Sequence, residues 1–240
     1  MADIAAVRQK ILQEFEQALK KYPKPRTASG AQNYAHQVGA ALRLICKRNI
    51  GEDVLTDGFL TPEAAEALIR DPLSAGWKIV AEATGEMQTK LNISSGYHVR
   101  ATPAPVNQSR VNGMVSLASG EEFDQVETKV FQCYDNIMRS SVDATIRRNF
   151  TDLHDAGVKV EVVRTYMGDG HCDWCARRAG TYDYDDVAHG GEVWERHLDC
   201  NCLIETRVGK QRQRSYYRYR DEKKQEEINS EIKEERKQTG

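Results

Sequence analysis

The chain has 240 residues, 29% of them charged and 40% hydrophobic, with a formal net charge of −2. That composition supports a packed core with polar arms and gives no global signature of nucleic-acid or membrane binding, so any such surface must be local. No apolar run approaches the roughly 18 residues a transmembrane helix needs, and the charge-spaced start MADIAAVRQKILQEFEQALKK has no apolar core of a secretory signal.

From the N-terminus, Ile4, Val7, Ile11, Phe15 and Leu19 recur at helical spacing, predicting a helix over 3–21. Prolines and a glycine in KYPKPRTASG break it. A second helix is predicted over 31–48, with Tyr34, Val38, Leu42 and Ile45 on one face. Thr61-Pro62-Glu63 reads as a capped helix start. Asp71-Pro72 repeats the device and is expected to open a longer helix through Trp77, Val80, Ala83 and Met87 toward Leu91. Residues 93–120, rich in Pro, Gly, Ser and Asn, are expected to form an irregular excursion.

Residues 121–156 carry the strongest helical signal, from Phe123 through Val130, Ile137, Ile146 and Leu153 to a stop at Gly157. A helix of that length is about 50 Å long and suits either an assembly or the core of a bundle. The period then changes. Val158, Val160, Val162 and Arg164 alternate with Lys159, Glu161, Val163 and Thr165, predicting a strand, and Cys202–Val208 predicts another. The expected fold is α+β, mainly α: an elongated helical body over 1–157, a small β-rich module over 158–208, and a basic and charged tail over 209–240.

Four of the six cysteines fall within 31 residues. Cys46 and Cys133, outside that cluster, read as buried small hydrophobes. The pattern is Cys172-x2-Cys175, 21 intervening residues, then His197-x2-Cys200-x-Cys202. Zinc takes four N or S ligands in a tetrahedron, and a Cys-x2-Cys turn aims two thiolates at one point. The second half offers three candidates for two places. Spacing leaves open a four-cysteine set and a set in which His197 replaces one thiolate; the position of His197, a helical turn before Cys200, leans to three cysteines and one histidine. So many soft donors close the coordination sphere, which predicts structural Zn2+ and no enzyme. Tyr182, Tyr184, Val187, Val193, Trp194 and Trp174 are expected to pack around the metal. The tail segment KQRQRSYYRYR offers Lys210, Arg212, Arg214, Tyr216, Tyr217, Arg218, Tyr219 and Arg220 for nucleic acid or for a partner surface.

The stretch Gly168-Asp-Gly-His-Cys-Asp-Trp-Cys-Ala-Arg-Arg-Ala-Gly-Thr-Tyr182, followed by Val193-Trp-Glu-Arg-His-Leu-Asp-Cys-Asn-Cys202, resembles tailed-phage minor head proteins of the phage Mu F-like head-morphogenesis group. That family closes its motif with His-x-Asn-Cys-Arg-Cys; here Asp199 and Asn201 depart from it while every ligand type is kept. The Asn149–Gly157 turn and the following strand share a looser likeness. The resemblance implies a virion protein in several copies, made in the host cytoplasm. Its implied partners are the portal or major capsid protein, with packaged DNA at the basic tail and no membrane, and its role is head assembly or DNA delivery. Some relatives carry C-terminal toxin enzymes; the 38 residues after Cys202 are too few for one. The alternative readings are an HNH-type nuclease using His197 or His189 as base, and a DNA-binding protein using the tail.

Overall fold

The computed structural model describes residues 2–167, 172–187, 191–197 and 200–209, and the backbone of 211–212. Its fold is mainly helical with one small antiparallel sheet near the C-terminus. Helix α1 spans Ile4–Leu19, capped by Asp3, whose carboxylate accepts from the Ala5 N–H. Helix α2 spans Ala28–Asn49. It starts earlier than the apolar periodicity suggests because the Thr27 hydroxyl accepts from the Gly30 N–H.

Thr61 caps α3 (Pro62–Ala65) as expected, and the longer helix α4 (Asp71–Ser94) begins at Asp71-Pro72 and runs past Leu91, but Asp71 does not cap it and no break precedes it. Instead α3 runs through a π-turn at Glu66–Arg70 directly into α4. Pro72 has no N–H to give the Leu68 carbonyl four residues back, so the backbone widens by one residue there. The Cys46 thiol, fully buried on α2, lies 3.9 Å from that carbonyl.

The region 93–120 is only partly irregular. Residues 99–106 have no regular structure, but Gln108–Gly120 forms α5, capped by Asn107. Its buried residues Val111, Met114, Val115 and Ala118 supply the helical spacing that the Gly and Ser content masks.

Helix α6, Phe123–Asp155, is the central helix of a bundle, packed mainly against α2 and α4. Its contact with α2 is close at Gly39, where a Cβ would come within 2.8 Å of the Asp135 Cα. Where α6 meets α4 the interface is polar. The Asn149 side-chain amide donates to Gln88 at 2.7 Å and accepts from Asn92 at 2.7 Å, with all three side chains inaccessible to solvent. Such a network fixes the register between helices, since a slip would strand buried amides. Cys133 on α6 is half-buried rather than buried, because it falls between the two packed faces.

Gly157, at φ +77°, ends the last turn of α6 and redirects the chain into β1 (Val160–Thr165). The sheet order is β2-β1-β3-β4, with β2 at Gly180–Asp183, β3 at Leu203–Val208 and β4 at Gln211–Arg212. Pairing across β1 and β3 sets Arg164 opposite Ile204 and Val162 opposite Thr206. Two short helices, α7 (Asp173–Arg177) and α8 (Tyr184–Val187), lie in the connections. Val160, Val162, Ile204 and Val208 join the same apolar core as α2 and α6, so the sheet is seated on the bundle. Among the described residues, no helix is long and apolar enough to cross a membrane.

Candidate metal centre

The two halves of the cysteine pattern meet. Cys172 precedes α7, Cys175 lies within it, and the short helix turns both sulfurs to one side. His197 Nε2 lies 2.9 Å from the Cys175 sulfur and 3.3 Å from that of Cys172. The Cys175 and Cys200 sulfurs are 3.7 Å apart. Cys175 belongs to two compact donor groups, one with Cys172 and His197 and the other with Cys200 and Cys202. A tetrahedron with zinc bond lengths of about 2.0–2.3 Å has edges of roughly 3.5–3.8 Å. The 3.7 Å edge matches that size, and the two histidine edges are somewhat shorter. The five residues could therefore hold one metal ion, and their soft sulfur and imidazole chemistry suits zinc. None of the six cysteines is disulfide-bonded.

The surroundings stabilise negative charge on two of the four sulfurs, those of Cys200 and Cys172. The Cys200 thiol is pushed down to about 4, first by the hydrogen bond from Cys202, then by the Cys202 backbone N–H and the positive charge of Arg196, against the opposing effect of burial. Cys172 is lowered too, chiefly by the backbone N–H of Cys175. Cys175 is raised, first by burial, and Cys202 is raised as the hydrogen-bonding partner of Cys200.

Two buried arginines face this cluster. Arg164, 1% exposed, donates from Nη1 to the carbonyls of Glu192, Val193 and Glu195, and its Nη2 lies 3.7 Å from the Cys200 sulfur. Among the described residues no carboxylate pairs with it. A guanidinium this deep needs an anion nearby, and the thiolates are the anions at hand. Arg196 donates to the carbonyls of Cys200 at 3.0 Å and Cys202 at 2.8 Å, while its other edge pairs with Asp143 of α6. Asp143 also accepts from Gln32 of α2 at 2.8 Å. The donor loop is thus bolted to two helices of the bundle.

The aromatic packing differs from the sequence expectation. Trp174 and Tyr166 lie against the cysteines. Trp174 meets the His197 ring edge-on at 5.2 Å and carries the Arg178 guanidinium over its face at 3.8 Å. Tyr182, Tyr184, Val187, Val193 and Trp194 belong to the main core instead. Tyr184 stacks on Phe150 and His154 of α6, because α8 packs on the bundle rather than on the metal site.

Of the basic tail, Arg212 is placed by its backbone in β4, while Lys210, Arg214, Tyr216, Tyr217, Arg218, Tyr219 and Arg220 lie outside the described residues, as does His189. Sequence reasoning missed Asp143, Arg164 and Arg196 as supports of the centre. One signal was present: Arg164 shares the inward phase of Val160 and Val162, an unusual place for a guanidinium without a partner. No family model, curated protein or solved structure matches this chain.

Proposed function

We propose that this protein is a structural, non-enzymatic minor head protein of a tailed bacteriophage, stapled by one Zn2+ and mounted on the portal or the capsid interior, where it acts in head assembly or DNA delivery. The observation that carries the reading is the convergence of Cys172, Cys175, His197, Cys200 and Cys202, the residues on which the resemblance rests, into one donor cluster. The order of elements supports it as well: a long helix, a glycine turn and a strand lead into the cysteine module. A structural zinc suits this module. Its sheet is held by the bundle core, but its connections carry few buried apolar residues of their own, so metal binding energy of about 10–16 kcal/mol, the apparent range for zinc-finger peptides, would dominate the folding of those connections.

The nuclease reading needs His197 or His189 as a base, and His189 lies outside the described residues. The His197 Nε2 faces two thiols at 2.9 and 3.3 Å, which favours a ligand role. Purified phage heads test the proposal. Immunodetection of the chain in particles, at a few copies and cross-linked to portal or major capsid protein, supports it. A chain that stays in the lysate and is absent from purified particles overturns it.

A further inference from the structure

A second site lies on the seam between the helical bundle and the cysteine module. It is a cleft of about 790 Å3, within the roughly 300–1,000 Å3 range of ligand sites. One wall is the middle of α6. The opposite wall is the stretch Pro105–Asn107 leading into α5, and the cleft is closed by Trp194 and Glu195 from the module.

Its chemistry is uneven in a useful way. Arg110, Arg147 and Arg148 line it, and so does the start of the 13-residue helix α5, whose first-turn N–H groups add partial positive charge. The Ser140 hydroxyl accepts from Arg110 at 3.0 Å and holds that guanidinium beside α6. Three carboxylates also line the cleft, Asp143, Asp152 and Glu195, and of these Asp143 is neutralised by Arg196. The Asp152 Oδ2 is buried and accepts no hydrogen bond. The half-buried Trp194, with the Arg147 guanidinium over its ring at 5.8 Å, offers an aromatic wall, and Pro105 and Val106 add apolar lining.

We propose that this cleft binds a single nucleotide unit. The phosphate sits among Arg110, Arg147, Arg148 and the α5 N-terminus, the planar base lies along Trp194, and an amino group of the base donates to Asp152. Guanidinium groups pair with phosphate through charge-assisted, fork-shaped hydrogen bonds, and an indole accepts any base by stacking. The two unneutralised carboxylates argue against a continuous run of phosphates along the cleft. The nucleotide is therefore either free or the end of a strand, and both present the same phosphate and base.

Calorimetric titration of the full-length, metal-loaded protein tests this, with dAMP, deoxyadenosine, inorganic phosphate, a 5′-phosphorylated oligonucleotide and circular single-stranded DNA as probes. The expected result is saturable one-site binding of dAMP, with deoxyadenosine and phosphate each at least about tenfold weaker. Arg110→Gln and Arg148→Gln, both at exposed positions, should each weaken dAMP about tenfold, the loss of one arginine–phosphate contact, at unchanged metal content and melting temperature. Asp152→Ala, which removes the acceptor, should weaken dAMP and leave inorganic phosphate as tight or tighter. Equal or tighter binding of the 5′-phosphorylated oligonucleotide identifies a strand end; binding of dAMP alone identifies a free nucleotide. No saturable binding of dAMP or oligonucleotide at millimolar concentrations overturns the proposal. So does binding indifferent to both arginine substitutions, or circular DNA binding as well as the phosphorylated end.

Discussion

Arg196 and Asp143, 53 residues apart, form a buried ion pair that joins the metal loop to the middle of the longest helix. Both side chains are almost wholly enclosed, and the guanidinium spends its remaining donors on the carbonyls of Cys200 and Cys202. Breaking such a pair from one side leaves a buried charge uncompensated, which costs about 3–5 kcal/mol. Asp143→Asn should therefore lower unfolding free energy by that order in urea denaturation. The double change Asp143→Leu with Arg196→Met should cost less than the single one, because no charge is left stranded.

Cys175 is common to both compact donor groups. Cys175→Ser is expected to abolish stoichiometric metal binding, measured by elemental analysis of the reduced protein. Five donors compete for four places, so of Cys172→Ser, His197→Ala, Cys200→Ser and Cys202→Ser three should lose the metal and one, at the donor left outside the tetrahedron, should retain it.

Arg164 supports the cluster without being able to ligate a metal. Arg164→Met removes the donor near the Cys200 sulfur and the three carbonyl contacts that shape the 192–195 turn. Losses of this kind around metal ligands weaken affinity roughly 10–100-fold. Competition against a chromogenic chelator should show a shift of that size while the helical circular dichroism stays intact.

Acid should release the metal. The Cys200 thiol is lowered to about 4, against an unfolded thiol value of about 8.5. A group lowered on folding contributes stability that is present above the unfolded value and lost as the pH falls through the folded one. Metal binding has the same sign, since each ligand must shed its proton. Cys175 and Cys202, raised in the metal-free protein, act oppositely. The metal-loaded protein should therefore lose stability as the pH falls toward 4 more steeply than the metal-free protein, as read by thermal melts across a pH series.

The close crossing of α2 and α6 at Gly39 gives a prediction for the bundle alone. Gly39→Ala places a methyl 2.8 Å from the Asp135 Cα, a backbone atom that cannot step aside. Overpacking of this kind costs about 1–3 kcal/mol, and the loss should appear in thermal denaturation with metal content unchanged.

Much of this was legible in the residues, for identifiable reasons. Helical spacing announced α1, α2 and α6 because each buries a regular apolar stripe. The donor cluster was legible because metal ligation restricts residue type and local spacing together. Helix α5 was hidden because small and polar residues fill its exposed face, leaving only Val111, Met114, Val115 and Ala118 as signal. The run-on from α3 to α4 was hidden because Pro72 normally marks a first turn, and only a tertiary context lets a π-turn absorb it. The supports of the metal loop come from α6 and β1, far away in sequence, and no local pattern links Asp143 to Arg196. The seating of the sheet on the bundle was likewise invisible, since Tyr184 and Trp194 could as well have packed on the metal.

The metal content of the native, reduced protein is the most direct test. Inductively coupled plasma spectrometry and native mass spectrometry should find one zinc per chain, and chelation should unfold the ligand-bearing connections between β1 and β3 while the helices and the sheet seated on them persist. A protein free of stoichiometric metal, with slow amide exchange still protecting α7 and the Glu192–Trp194 turn, would contradict the account.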